Sequence, residues 1–307
     1  FGSKILLPAR MSEPMSLIKQ LFTLPVLETL SPGITRRKMD ELEVVVIQTP
    51  FCKAAIALQG AHLLTWKPSR QAYPVLWLSD CTPFKIGVPI RGGVPVCWPW
   101  FTDLGGEPFH GFARILPWRL TALDNNKTSF ALTLTLNDTP QTRQLWDHAF
   151  QLEMTLTFTA EVCELLLTAH GSFSATAALH SYLSTPDIRA TQIYGVGMQG
   201  YDTVAGEPVQ NLPSPLSLSG EFGTIFPQAK KQTALVTPAR TLTLTHVNNS
   251  NVVVWNPWQQ RAEQISDMSD DGWQNFVCLE TAAIDSPLVS TPQHPASIGV
   301  QFALSHH

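Results

Sequence analysis

From about Leu42 onward, apolar and polar positions alternate in short runs of β-branched, aliphatic and aromatic residues. Gly, Pro, Asn or Asp breaks the runs roughly every eight to twelve residues. The clearest runs are residues 130–136 (F-A-L-T-L-T-L), 152–158 (L-E-M-T-L-T-F), 165–169, 242–246 and 252–255. Threonine on one face and aliphatic side chains on the other suit strands that cover a core with one side only. The pattern therefore predicts an all-β sandwich. It offers one helix, at residues 142–150, after the turn signal Asn137-Asp138-Thr139-Pro140. No βαβ rhythm, internal repeat or low-complexity tract interrupts it, and the proline clusters at 83–108 and 208–215 read as long loops.

The length of 307 residues is large for one domain, but β-sandwiches reach it, so residues 11–307 are expected to form a single unit. Residues 1–10 precede Met11 and are expected to be an extension outside the fold. Hydrophobic residues at 44% and charged residues at 14% supply a sizeable core and exclude a disordered chain. A net charge of −4 provides no global field for a nucleic acid or an anionic membrane, so an anionic ligand must be held by a few local cations. With no run long enough to span a membrane and no signal segment, a cytoplasmic protein is expected. Cys52, Cys81, Cys97, Cys163 and Cys278 contain no C-x-x-C pair and read as reduced, mostly buried thiols.

Four segments carry candidate chemistry. The first, residues 90–101 (I-R-G-G-V-P-V-C-W-P-W-F), sets Arg91 beside paired glycines and large aromatics that suit a sugar ring. The plainer reading puts Trp98 and Trp100 in the core, and lets Arg91 or Arg114 pair with Asp103 or Glu107, or stack on those indoles. The second is His110-Gly111-Phe112-Ala113-Arg114. The third places His180 inside an apolar run, where a histidine is usually a satisfied core residue. The fourth ends a hydrophobic run on Glu280, and a buried unpaired carboxylate costs several kcal/mol or is protonated instead. A carboxylate base, an imidazole acid and arginines around an aromatic-lined cleft fit proton transfer. No nucleophile elbow, P-loop, dinucleotide fingerprint or H-E-x-x-H competes, and the nine scattered histidines predict no metal site.

The strings I-R-G-G-V-P-V-C-W-P-W-F, H-G-F-A-R, A-L-H-S-Y-L, W-N-P-W and C-L-E-T-A, in this order, resemble the hexose-6-phosphate mutarotase branch of the aldose 1-epimerase superfamily, over about Leu21 to Val300. The resemblance implies a galactose-mutarotase-like β-supersandwich and interconversion of the α and β anomers of a hexose 6-phosphate without a cofactor. It implies His180 as general acid, Glu280 as general base, and Arg91, His110 and Arg114 around the substrate. Asp202, in Gly200-Tyr201-Asp202-Thr203, resembles the family's sugar-hydroxyl-binding aspartate, while its neighbours equally suit a turn. Thr102 departs from the family, which usually has Gly there. The partner implied is a small sugar phosphate, with oligomeric state left open. A free-aldose 1-epimerase, a glycosidase built on a related sandwich and a non-catalytic carbohydrate-binding sandwich remain the alternatives.

Overall fold

The alternation seen in the sequence becomes three antiparallel sheets. The computed structural model describes residues 15–227 and 230–306, so the expected extension at 1–10 lies outside the described residues. The first sheet is a five-stranded meander in chain order, Glu28–Ser31, Ile34–Met39, Leu42–Gln48, Cys52–Ala57 and His62–Pro68. The second has eight strands. At its middle Val162–Gly171 lies between Phe150–Phe158 and Ala296–His306, with Arg240–Val247 and Phe130–Asn137 next on either side. Burial along Phe150–Phe158 alternates strictly between buried and less buried, as one apolar face demands.

The third sheet carries the chemistry. Phe276–Ser290 is paired with Asn251–Asn256 on one side and with Phe173–Leu179 and Tyr182–Ser184 on the other. Its first eight residues are all buried, on both faces, so this stretch reads as continuous apolar sequence rather than alternation. One core joins the sheets. Trp66 comes from the first, Phe130, Phe158 and Phe302 from the second, Phe226 and Phe276 from the third, with Trp98, Phe112 and Trp118 from the loops.

Helices are short, as expected, but the expected one is displaced. It spans Pro140–Leu145, not 142–150. Thr139 caps it, Pro140 occupies its first turn, and Thr139 and Thr142 bond reciprocally, while Phe150 already opens the next strand. Two further helices, Leu17–Leu21 and Trp258–Ala262, were not expected from the pattern. Among the described residues no helix is long and apolar enough to cross a membrane.

Candidate active site

Glu280 sits in the buried half of Phe276–Ser290, directly opposite Val253 in the register. Its floor is apolar, with Val253, Ala178, Ala282 and Ile225 in one cluster. The carboxylate is 1% exposed. Burial pushes its pKa well above the ordinary carboxylate range. Its Oε2 has no hydrogen-bond partner among the described residues.

His180 occupies the break between Phe173–Leu179 and Tyr182–Ser184, where its backbone N–H donates to Pro95 O at 3.0 Å. That break aims the imidazole back over the neighbouring strand, and Nε2 lies 3.3 Å from Glu280 Oε1. Tyr182 stacks on the ring at 5.1 Å and Trp255 meets it edge-on at 6.4 Å. Burial, then the charge of Arg114, holds the His180 pKa down at about 3. The imidazole is therefore neutral near pH 7.

The pair opens into a cavity of about 740 Å³, within the range of small-molecule sites. Arg91, Phe109, His110, Trp255 and Arg261 share its wall with His180 and Glu280. Arg91 reaches it from the loop before strand Val96–Cys97, where Gly93 must be glycine because a Cβ would collide with the Leu63 carbonyl. Its guanidinium is already held, Nε donating to Asp267 Oδ1 at 2.9 Å and Nη1 to the Tyr182 hydroxyl at 3.1 Å. The nearby Tyr182 and Asp267 hold Arg91 firmly charged. A second depression of the same volume, beside Asn248, Asp285 and Ser297, has no imidazole or cation among its described residues.

Four of the six expected site residues, His180, Glu280, Arg91 and His110, therefore come together around one cavity. Arg114 does not contribute to its wall. Nη2 donates to the Phe109 carbonyl at 2.9 Å, Nε is buried without a partner, and among the described residues no carboxylate is within ion-pair reach. Asp202 does not line the cavity either. Its Oδ1 accepts from the N–H groups of Val204 at 2.8 Å and Ala205 at 3.0 Å, and the resulting turn sets Thr203 and Val204 into the wall. Trp98 and Trp100 are core residues. Trp98 packs edge-on against Phe112, Trp146, Phe150 and Phe173, and Trp100 Nε1 donates to Pro108 O.

Sequence reasoning missed Arg261, Tyr182 and Asp267. Arg261 and Asp267 belong to the excursion 257–275, which leaves strand Asn251–Asn256 and returns to its neighbour Phe276–Ser290. Asn256 ties its neck, donating to the carbonyls of Trp273 at 2.9 Å and Phe276 at 2.8 Å and accepting from Trp258 N. The only local signal was the W-N-P-W string itself.

Residues 43–298 match the model of the aldose 1-epimerase family. The chain belongs to the aldose 1-epimerase family. It is 40% identical over 291 residues, 92% of this chain and 97% of the relative, to a protein of Salmonella typhimurium provisionally named glucose-6-phosphate 1-epimerase. It superimposes on the crystal structure of a provisionally named mutarotase from Salmonella typhimurium with a TM-score of 0.91 and 37% identity, over 94% of this chain and 99% of that one. A galactose mutarotase-like protein from Clostridium acetobutylicum shares the fold at 12% identity, with a TM-score of 0.69 over 89% of this chain and 98% of that one. The chain is thus an all-β isomerase of the galactose mutarotase-like fold, and its family interconverts sugar anomers.

Proposed function

We propose that this epimerase acts on a hexose 6-phosphate, with glucose 6-phosphate as the leading substrate, and that His180 and Glu280 move the protons. Mutarotation opens a cyclic hemiacetal and recloses it on the other face of the aldehyde. One group must take the C1 hydroxyl proton while another protonates the ring oxygen. Both oxygens sit on one carbon, so acid and base must be close neighbours, and a 3.3 Å separation meets that need.

From the imidazolium–carboxylate form of the pair, opening transfers a proton from the sugar to Glu280 and one from His180 to the sugar. Closure runs the reverse. The two states, imidazolium with carboxylate and imidazole with carboxylic acid, hold the same single proton between them. The cavity needs only to keep that count at one.

The observation that carries the reading is this pair's cost: among the described residues, His180 Nδ1 and Glu280 Oε2 are both buried without a partner. A module that only bound sugar would have no use for such an arrangement.

Two cations in the cavity wall support a phosphorylated substrate. Arg91 is neutralised by Asp267, whereas Arg261 is exposed, bonded only to Gln264 Oε1 at 3.0 Å, and has no carboxylate within ion-pair reach among the described residues. Arg261 is therefore the cation more available to a phosphate, with Arg91 beside it. Arg114 acts on His180 by charge alone.

The Salmonella typhimurium relative matched by sequence carries a phosphosugar name, and the provisional glucose-6-phosphate 1-epimerase of Escherichia coli is likewise 40% identical over 287 residues. The test is anomer exchange at equilibrium, followed by NMR, for glucose 6-phosphate beside glucose and galactose. Selective acceleration of the phosphate supports the proposal. Equal or faster exchange of a free aldose sinks it.

A further inference from the structure

Cys278 stands two residues before Glu280 on the same strand, hence on the same face, and is fully buried. Its thiol, the His180 imidazole and the Glu280 carboxylate present three ligand atoms that lie within 4.8 Å of one another. Tetrahedral zinc, with bonds of about 2.0–2.3 Å, separates its ligands by roughly 3.3–3.6 Å. The His180 to Glu280 distance of 3.3 Å already fits, and the thiol lies within 4.8 Å of both.

A second observation is independent of the spacing. Glu280 Oε2 is a buried oxygen without a partner among the described residues, so the carboxylate has an unused ligand atom. Cys278 is free, and Tyr182 and Trp255 face it from the flanking strands in register. That leaves the cavity as the open side, a geometry of three protein ligands and one vacant position. Nitrogen, sulfur and oxygen donors together suit zinc, while magnesium and calcium prefer oxygen alone.

We propose that His180, Cys278 and Glu280 form an inhibitory site for a thiophilic divalent cation, zinc. Binding forms a zinc–sulfur bond and passes two protons to water, the thiol's and the one that the His180–Glu280 pair holds. The metal takes up the imidazole lone pair and the carboxylate oxygen, so zinc and sugar exclude one another. The inhibition, though not the binding, rests on the acid and base roles proposed above.

The experiment uses the full chain, zinc chloride and cobalt chloride, with Cys278→Ala and the isosteric Cys278→Ser in case the alanine variant packs poorly. One zinc per chain is expected, with mutarotation lost and then restored by a chelator. Cobalt should give a thiolate charge-transfer band in the near ultraviolet. Both variants should stay active, lose the band and bind zinc ~10-fold or more weakly. Magnesium should not inhibit. The absence of stoichiometric zinc binding, or binding indifferent to Cys278, overturns the site. Zinc bound with the thiolate band while turnover continues overturns the inhibition, and with it the catalytic roles of the pair.

Discussion

The backbone N–H of Thr102 donates to Nδ1 of His110 at 2.9 Å. A backbone amide can only donate, so Nδ1 accepts and the imidazole carries its proton on Nε2. Burial, then the neighbouring His180 and the arginines, depresses the His110 pKa to about 2. His110 is thus a neutral donor at the cavity wall, suited to a sugar oxygen.

Thr102 makes this bond from φ 54° and His110 from φ 64°. Left-handed backbone is costly for a β-branched residue, which explains the glycine usual in the family at this position. Thr102→Gly should raise stability by about 1 kcal/mol without loss of the His110 bond. The check is the urea midpoint beside kcat. An unchanged or lower midpoint would mean the turn carries no strain.

His180→Asn and Glu280→Gln should each lower kcat by ~100-fold or more with the fold intact. Glu280→Gln should also be more stable than the parent. Its carboxyl has a folded pKa above the unfolded one, so the parent's stability declines as pH rises between those two values, while the amide's does not. Urea unfolding at pH 5 and pH 8 measures the difference. A gap that shrinks toward pH 8 contradicts the raised carboxyl.

The strands were legible because Phe150–Phe158 and its neighbours cover the core with one face. The first eight residues of Phe276–Ser290 are covered on both sides and hide their period, yet that same continuity made Glu280 conspicuous. The helix was misplaced because Pro140 reads locally as a turn residue, whereas here it begins a helix capped by Thr139. Arg261 left no local mark beyond the W-N-P-W string. It reaches the cavity only because Asn256 closes the excursion at its neck, a bond to Trp273 and Phe276 that no window of sequence displays. Asp202 illustrates the reverse, since its Gly-rich surroundings signalled the turn it makes.

The rate should be level from mildly acid to neutral pH and fall on the alkaline side. With His180 near 3 and Glu280 raised, the pair holds its one proton across that interval. A second proton arrives only as pH approaches the His180 value, and the first leaves only above the Glu280 value. A kcat that already declines between pH 7 and pH 5, in protein shown to be folded, would contradict the neutral imidazole.

Arg91→Met and Arg261→Met should cost ~10-fold or more in kcat/KM for glucose 6-phosphate and much less for glucose, the loss expected when a charged hydrogen bond to phosphate is removed. Arg114→Met should affect both substrates alike. Equal losses in all three variants would assign the arginines to the architecture of the loops.

Stability should fall steeply as pH drops from about 6.5 toward 4. His62, His110, His180 and His246 are all buried with depressed pKa values, of about 4, 2, 3 and 4, so the unfolded chain takes up protons that the fold refuses. Each contributes up to about 1.4 kcal/mol per pH unit. His246 bridges Thr233 and Thr281 through its two ring nitrogens. His246→Gln should therefore lower stability at pH 7 but flatten the acid slope by about one proton, and an unaltered slope would show that His246 is protonated in the fold.

The excursion 257–275 departs and returns between two strands that are hydrogen-bonded neighbours, Val253 facing Glu280 and Trp255 facing Cys278. Its content can diverge while the ladder beneath it keeps the same register. That one segment supplies Arg261 and the Asp267 that grips Arg91, while His180 and Glu280 lie outside it. On the proposed roles, the part of the chain that admits the substrate can change without disturbing the part that opens the ring.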